Sequence, residues 1–566
     1  MSKIMEMKEL SNKVHRNGFN PATRVCFTAN VGEIIPARVV ETLPGDVYNI
    51  DLFHFGRTSP CQTASYGRIR EYYDVYFVPN RLLWRHFDNW VLQGENASFA
   101  TSPVSKPSQP TYSPYFNSSS YLTYQGSVSD SQLNDGLMNR KAASKKLLSY
   151  LGYMYKTKSG EYDWRGLVAL NPWRLLAYQK IYQDYFRFAQ WEDVAPWTYN
   201  VDYMQYTDDM LIQLSGANYS NVTSMFDMRY CNYDKDYFFG IMPRPQFGDT
   251  SIAGPISGTL AGQLGQIASS NAVAGTDLDL YGDVSSNNNL SYVGSSSNNG
   301  NKTIRSNAFL QLQNSSDNNA GISVLALRQA EAYQKWKEIT LSSSDRSVQS
   351  LISKHWNVNV SDVLSDKCIY LGGVAKTIDI NEVVNTSFNT PEETAELRGK
   401  GISSNGGNIR FECKDYGTLM VVYHAKPLVE WKYSSIIERS LLKTKASDFA
   451  IPEFDSIGMQ PVYKSEFIPI QNGNDLIQVV GYAPRYAEYK TNIDICLGEF
   501  EDTLESWVLP FEFPSNETVD YRAFKVSPHI CDNMFAVNAD VADQLRNFVN
   551  LDIKAVRNLD ADGLPY

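Results

Sequence analysis

Histidine and cysteine are both scarce in this 566-residue chain. The six histidines (His15, His54, His86, His355, His424 and His529) are scattered, and none has a second histidine or a carboxylate at a metal-ligand spacing such as HExxH. The sequence therefore makes no case for zinc, and no cofactor is expected. The seven cysteines are odd in number and far apart, with no CxxC pair. They are expected to be reduced, mostly buried thiols of a protein folded in cytoplasm. The first ten residues contain no apolar h-region, and no later run is long enough to span a bilayer. Export and membrane insertion are therefore not expected, and Asn-x-Ser/Thr triplets such as Asn218-Tyr219-Ser220 are read as chance.

Catalytic motifs are also missing. There is no Gly-x-Ser-x-Gly elbow. The glycine-rich stretch Gly258–Gly265 lacks the lysine of a phosphate loop. Acidic neighbours such as Asp208-Asp209 and Glu392-Glu393 sit in polar text and read as solvated faces. A net charge of −11 argues against a surface that coats nucleic acid throughout, while leaving room for a local basic patch. A large chain with this profile leans towards a structural role and away from an enzyme.

What the chain has in excess is tyrosine, 36 residues within an aromatic fraction of 13%. Tyrosine suits both pleated half-buried strands and broad, partly wet protein interfaces. The stretch Asn171–Gln190 concentrates this character. Asn171 can cap a helix whose first position is Pro172. Leu175, Tyr178, Tyr182, Tyr185 and Ala189 then recur at steps of three and four, and Trp173, Ile181, Phe186 and Phe188 widen the apolar face to nearly the whole circumference. Such a helix must be buried among strands, under loops or against a neighbouring subunit.

Taken in order, residues 1–22 form a polar, basic arm. Strand patterns run from Arg24 to Val78, with a turn at Pro44-Gly45-Asp46. Leu83, Phe87, Trp90 and Val91 suggest a short helix, and 101–120 is Ser/Pro/Tyr-rich loop. Residues 80–248 make up a helix and loop insertion region. From 249 to 321 the text turns Ser/Asn/Gly-rich, with Lys302 and Arg305 as its only basic residues. It is too poor in large apolar residues to bury a core and reads as a surface insertion. Helical periodicity returns over 322–366. Strand patterns resume at Cys368–Leu371, Gly417–Tyr423, Leu476–Tyr482 and Phe524–Val526, and Phe548–Val556 is apolar and basic by turns. Strands at both ends around a helical middle predict one mainly β, antiparallel domain over 23–566.

Several ordered motifs carry a resemblance. Gly32-Glu33-Ile34-Ile35-Pro36, Leu43-Pro44-Gly45-Asp46, Arg68–Pro79, Leu82-Leu83-Trp84, Asp236-Tyr237-Phe238 with Pro243-x-Pro245-Gln246, Leu371-Gly372-Gly373 and Gly481–Tyr489 together resemble the major capsid proteins of the Microviridae, the gokushoviruses and related gut lineages above all. The resemblance implies an eight-stranded antiparallel jelly roll with long helical and loop insertions. It implies copies tiling a T=1 icosahedral shell around circular single-stranded DNA, a virion assembled in bacterial cytoplasm. It also makes 249–321 the counterpart of an outward loop at the threefold axes, with Tyr281, Tyr292, Lys302 and Arg305 as candidates for contact with a host receptor such as a glycan. A small basic DNA-binding protein is a further candidate partner.

Lys13, Arg16 and Arg24 of the arm and Lys554 and Arg557 of the C-terminal run are candidate genome contacts, with aromatics available for stacking; ordinary surface ion pairs are the competing reading. Trp173, Tyr178, Tyr182, Tyr185 and Phe186 are the candidate packing or interface residues of the central helix. A carbohydrate-binding or carbohydrate-active β-sandwich is the alternative of another class.

Overall fold

The twelve-residue stretch Val47–Thr58 alternates strictly: Tyr48, Ile50, Leu52 and His54 are buried, while Asn49, Asp51, Phe53, Phe55 and Arg57 turn outward. This period of two is what a sheet with one wet face demands. In the computed structural model the described residues are 16–93, 113–165, 169–207, 210–213, 223–244, 279–281, 291–293, 302–303, 324–341, 348–358, 365–384, 397–455, 458–468, 478–513 and 519–560.

Ten strands form the framework. They are β1 (Asn17–Phe19), β2 (Thr23–Ala29), β3 (Ile35–Thr42), β4 (Val47–Thr58), β5 (Arg68–Pro79), β6 (Ile369–Thr377), β7 (Asp379–Val384), β8 (Leu397–Glu412), β9 (Gly417–Leu428) and β10 (Leu545–Arg557). One sheet has the order β1-β10-β4-β8-β7, with β2 also paired to β10; the other has the order β6-β5-β9-β3. Every pairing in both sheets is antiparallel. The fold is thus mainly β with antiparallel sheets.

The inner faces meet through aromatic contacts. Phe27 lies edge-on to Tyr73 and Tyr423, and His54 stacks on Tyr73 at 4.4 Å. Ile50, Leu52, Val549, Leu551 and Ile553 fill the same core, each contributing roughly 1.5–3 kcal/mol relative to exposure.

The two sheets differ on their outer sides. β5 and β9 are buried on both faces along most of their length, which is why Gly417–Tyr423 reads as a continuous apolar run. Their far face is covered by helical chain: Tyr76 packs on Tyr185 at 5.0 Å and His424 on Phe186 at 4.9 Å. The corresponding face of the six-stranded sheet keeps its alternating exposed residues.

The described helices are α1 (Phe87–Gln93), α2 (Ser118–Ser127), α3 (Arg140–Tyr150), α4 (Trp173–Ile181), α5 (Val324–Leu341) and α6 (Val348–Trp356). α4 is the expected central helix, but it is shorter than its apolar periodicity suggests. It ends at Ile181 and continues as one wide turn over Tyr182–Phe186, closed by the Arg187 N–H on the Tyr182 carbonyl at 2.9 Å. Asn171 does not cap it; Pro172 occupies that position, and the Asn171 carbonyl instead accepts from the Tyr153 hydroxyl.

Three further expectations are corrected. α2 begins inside the stretch read as loop, capped by Asn117. Leu476 lies outside the described residues, and the strand there runs Val479–Pro484. Tyr521–Phe524 is a 3-10 turn, so Phe524–Val526 is not a ladder strand.

The chain divides into two units, Met1–Phe247 with Ile339–Tyr566, and Gly248–Glu338. In the second, Asp279–Tyr281, Ser291–Val293 and Lys302–Thr303 make a three-stranded antiparallel sheet.

Candidate nucleic-acid interface

The exposed face of the six-stranded sheet can be read row by row from its register. Arg546 on β10 lies opposite Arg57 on β4, Phe548 opposite Phe55, Asn550 opposite Phe53, Asp552 opposite Asp51, and Lys554 opposite Asn49. β2 extends three of these rows, with Thr28 opposite Arg546, Cys26 opposite Phe548 and Arg24 opposite Asn550. β8 extends the other side, where Asn408 donates to Asp51, and Arg410 follows opposite Asn49.

The centre of this face is aromatic. Phe548 lies 5.7 Å from Phe55 and 6.3 Å from Phe53, ring centre to ring centre, and Phe53 is 45% exposed. Arg24 sits over the Phe548 ring at 4.1 Å, and Arg57 lies 5.2 Å from Phe55. Exposed rings bordered by guanidinium groups can take a flat π-system together with its anionic linker.

Arg57 and Arg546 are like charges placed directly across a strand pair, an arrangement that destabilises a sheet by itself. Among the described residues no carboxylate pairs with either of them. In the row next to Phe53, Asp51 and Asp552 also face each other, and the row after it is basic again, with Lys554 and Arg410 on either side of Asn49.

Behind this face lies a buried polar layer. Burial lowers the His54 imidazole to about 4, so it is neutral at pH 7. The Glu71 carboxyl accepts from the Tyr423 hydroxyl at 2.6 Å and from Ser403, yet burial holds it above the ordinary carboxylate range.

The sequence candidates separate. Arg24 and Lys554 are exposed and share the face, four residues apart in register, roughly 13 Å along the strands. Arg557 does not share it: its guanidinium donates to the Tyr48 hydroxyl at 2.7 Å and lies 3.4 Å from Asp46, locking the end of β10 to the β3–β4 turn. Arg16 is exposed and donates to the Gly45 carbonyl at 3.1 Å, also on that turn. Lys13 lies outside the described residues. The residues that sequence reading did not single out are Phe53, Phe55, Arg57, Arg546 and Phe548. Their signal was the alternation of Val47–Thr58, where the outward positions are aromatic or charged.

Of the central-helix candidates, Tyr178, Tyr182 and Phe186 are buried in the chain's own interior, Trp173 is partly buried and Tyr185 is exposed. The Tyr178 hydroxyl donates to the Ile34 carbonyl and accepts from the Arg229 N–H, both at 2.9 Å. Tyr182 donates to Glu192 at 2.6 Å and accepts from the buried Lys525, itself 3.1 Å from Asp135. Tyr185 reaches the Cys368 carbonyl, Phe186 packs on the outer side of the four-stranded sheet, and Trp173 stands edge-on to Phe87 at 5.4 Å. Of the remaining candidates, Tyr281, Tyr292 and Lys302 lie in the three-stranded sheet of the second unit, with Tyr292 opposite Lys302. Arg305 is outside the described residues.

Residues 9–136 and 165–565 match the family described as "Capsid protein (F protein)". The chain belongs to this capsid protein family. Its similarity to the "Capsid protein VP1" of Chlamydia phage 1 is 23% identity over 570 residues, covering 90% of this chain and 88% of that one. The protein of the same description from Spiroplasma virus 4 is 21% identical over 504 residues, covering 85% and 81%. That of Bdellovibrio phage phiMH2K is 24% identical over 247 residues, covering 42% and 45%. The capsid protein is accordingly a Microviridae virion component with a structural role. Among the described residues no cluster of side chains forms a metal site, and no helix is long and apolar enough to cross a membrane.

Proposed function

We propose that copies of this capsid protein close into a T=1 icosahedral shell around circular single-stranded DNA, assembled in the bacterial cytoplasm. The building block in this reading is an eight-stranded jelly roll made of β2, β3, β4, β5, β6, β8, β9 and β10. The observation that carries it is the strand order. Four of these strands lie β2-β10-β4-β8 and the other four β6-β5-β9-β3, so consecutive strands alternate between sheets except at β5–β6. Two interlocked Greek keys produce such an order. β1 and β7 are additions at the two sides of the first sheet.

The bare sheet face is the genome side in this reading. Its Arg24, Arg57, Arg546 and Lys554 supply local positive charge to a chain whose net charge is −11. Residues 1–22 act as an arm, and a small basic protein shares the packaged DNA. Residues 249–321 form the surface insertion that meets a host receptor such as a glycan, where many weak copies give avidity. The carbohydrate-active alternative has no observation in its favour.

Negative-stain microscopy of the purified chain, with nuclease-protected DNA assayed in the same fractions, tests this. Uniform small shells holding protected DNA are expected. A chain that stays monomeric under all assembly conditions, with no particles from infected cells, would refute it.

A further inference from the structure

The shell reading leaves open how a flexible polyanion is gripped. Contacts to phosphate alone need only scattered cations. The exposed sheet face holds something more specific: three phenylalanines, with Phe548 in contact with both Phe53 and Phe55, capped at one corner by Arg24 and bordered by the opposed pair Arg57 and Arg546.

We infer that Phe53, Phe55 and Phe548 form a base-stacking platform for single-stranded nucleic acid, with the linking phosphates held between Arg57 and Arg546. The inference rests on the reading that this face meets the genome, and it adds that the bases themselves are bound. Three observations support it. Phe53 stands 45% exposed beside Phe548, which also touches the outward-facing Phe55, so the rings make a contiguous apolar patch on a solvent-facing sheet. The facing arginines repel each other and have no carboxylate partner among the described residues, so an anion placed between them removes a cost already present in the fold. Finally, Asp51 and Asp552 face each other in the row next to Phe53, so a phosphate beside the rings is favoured on the Arg57 and Arg546 side over that row.

A paired duplex hides its bases in its own stack and cannot use the rings; an unpaired strand can. Stacking of this kind tolerates any sequence, because every base has a π-face.

The test compares two fluorescent oligonucleotides of equal length and charge, one of deoxythymidine and one abasic throughout, titrated against the unassembled full-length chain at fixed salt. Stacking predicts that the thymidine strand binds more tightly, by roughly 5- to 150-fold for each base engaged. The double variant Phe53→Leu/Phe548→Leu keeps the apolar bulk and removes the rings, and is expected to bind the two strands alike. Arg57→Gln is expected to weaken both and to flatten the salt dependence. Equal affinity of the unaltered chain for the two strands would overturn the platform, while leaving intact a shell that encloses DNA by charge alone. Failure of the leucine variant to assemble, with the thymidine preference retained, would show that the face packs against another copy and would also overturn it. Circular dichroism confirms that each variant is folded. The exposed Cys26, opposite Phe548, provides an independent reading. Its alkylation is expected to be slower in DNA-filled particles than in empty ones; equal rates would count against bases lying over the rings.

Discussion

Neither ring nitrogen of His54 has a hydrogen-bond partner, and the imidazole is wholly buried against Tyr73. Its folded pKa of about 4 lies below the usual value, so the stability it allows is complete above about pH 6.5 and is lost as pH falls towards 4. Glu71 titrates in the opposite sense. Its raised pKa gives stability that is full below the ordinary carboxylate value and is lost as pH rises through the shifted one. His54→Phe, which removes two unsatisfied polar atoms, should raise the unfolding free energy by about 1 kcal/mol at neutral pH and by more at pH 5. Glu71→Gln should stabilise at pH 7 and gain nothing at pH 4. Unfolding curves at three pH values check both. These roles were not legible in the chain. A histidine inside an alternating strand reads as any inward residue, and the partners of Glu71 come from β8 and β9, more than 300 positions away. Arg557 illustrates the same limit. Its neighbours along the chain suggest a free basic residue, and only the fold brings Tyr48 and Asp46 to it.

Elements differ in how openly the sequence declares them. β2, β4, β5 and β10 follow period-two patterns and were readable, as were the short helix near Trp90 and the helices over 322–366. β8 was not, because its glycines, serines and asparagines look like loop text. The reason for the glycines is spatial: a Cβ at Gly401 would lie 2.5 Å from the Ile378 side chain and 2.6 Å from that of Thr58. Gly401→Val should therefore disrupt the β7–β8–β4 ladder and yield little soluble chain, measurable as the soluble fraction on expression.

α2 and α3 escaped notice because serine, tyrosine and lysine give them little amphipathic signal. α3 is held by charge. Arg140 makes two 2.8 Å bonds to Asp227, which also accepts from the Tyr124 hydroxyl, and both members of the ion pair are buried. Arg140→Met should cost about 3–5 kcal/mol by stranding the carboxylate, and adding Asp227→Leu should recover part of the loss. Denaturant midpoints of the single and double variants provide the comparison.

On the scale of the whole molecule, the second unit and the framework sheets are separable in the chain's own contacts. Removal of about residues 256–315 should therefore leave particle yield largely intact while lowering adsorption to host cells, which particle counts and an adsorption assay measure. Loss of folded protein would contradict the reading of 249–321 as a surface insertion. The overall class, mainly β with inserted helices, was visible from the distribution of strand patterns. The partition of strands between two sheets was not, because pairing is decided by neighbours far apart in sequence.

One pairing sets a schedule for the molecule's birth. β10, the last strand described, is slotted between β2 and β4, two of the first to leave the ribosome. Until translation reaches Arg557, those early strands wait with open edges, and a polypeptide cut short by a stalled ribosome can never fill the gap. Truncated products would thus be sorted from finished ones by geometry alone, before any lattice could accept them.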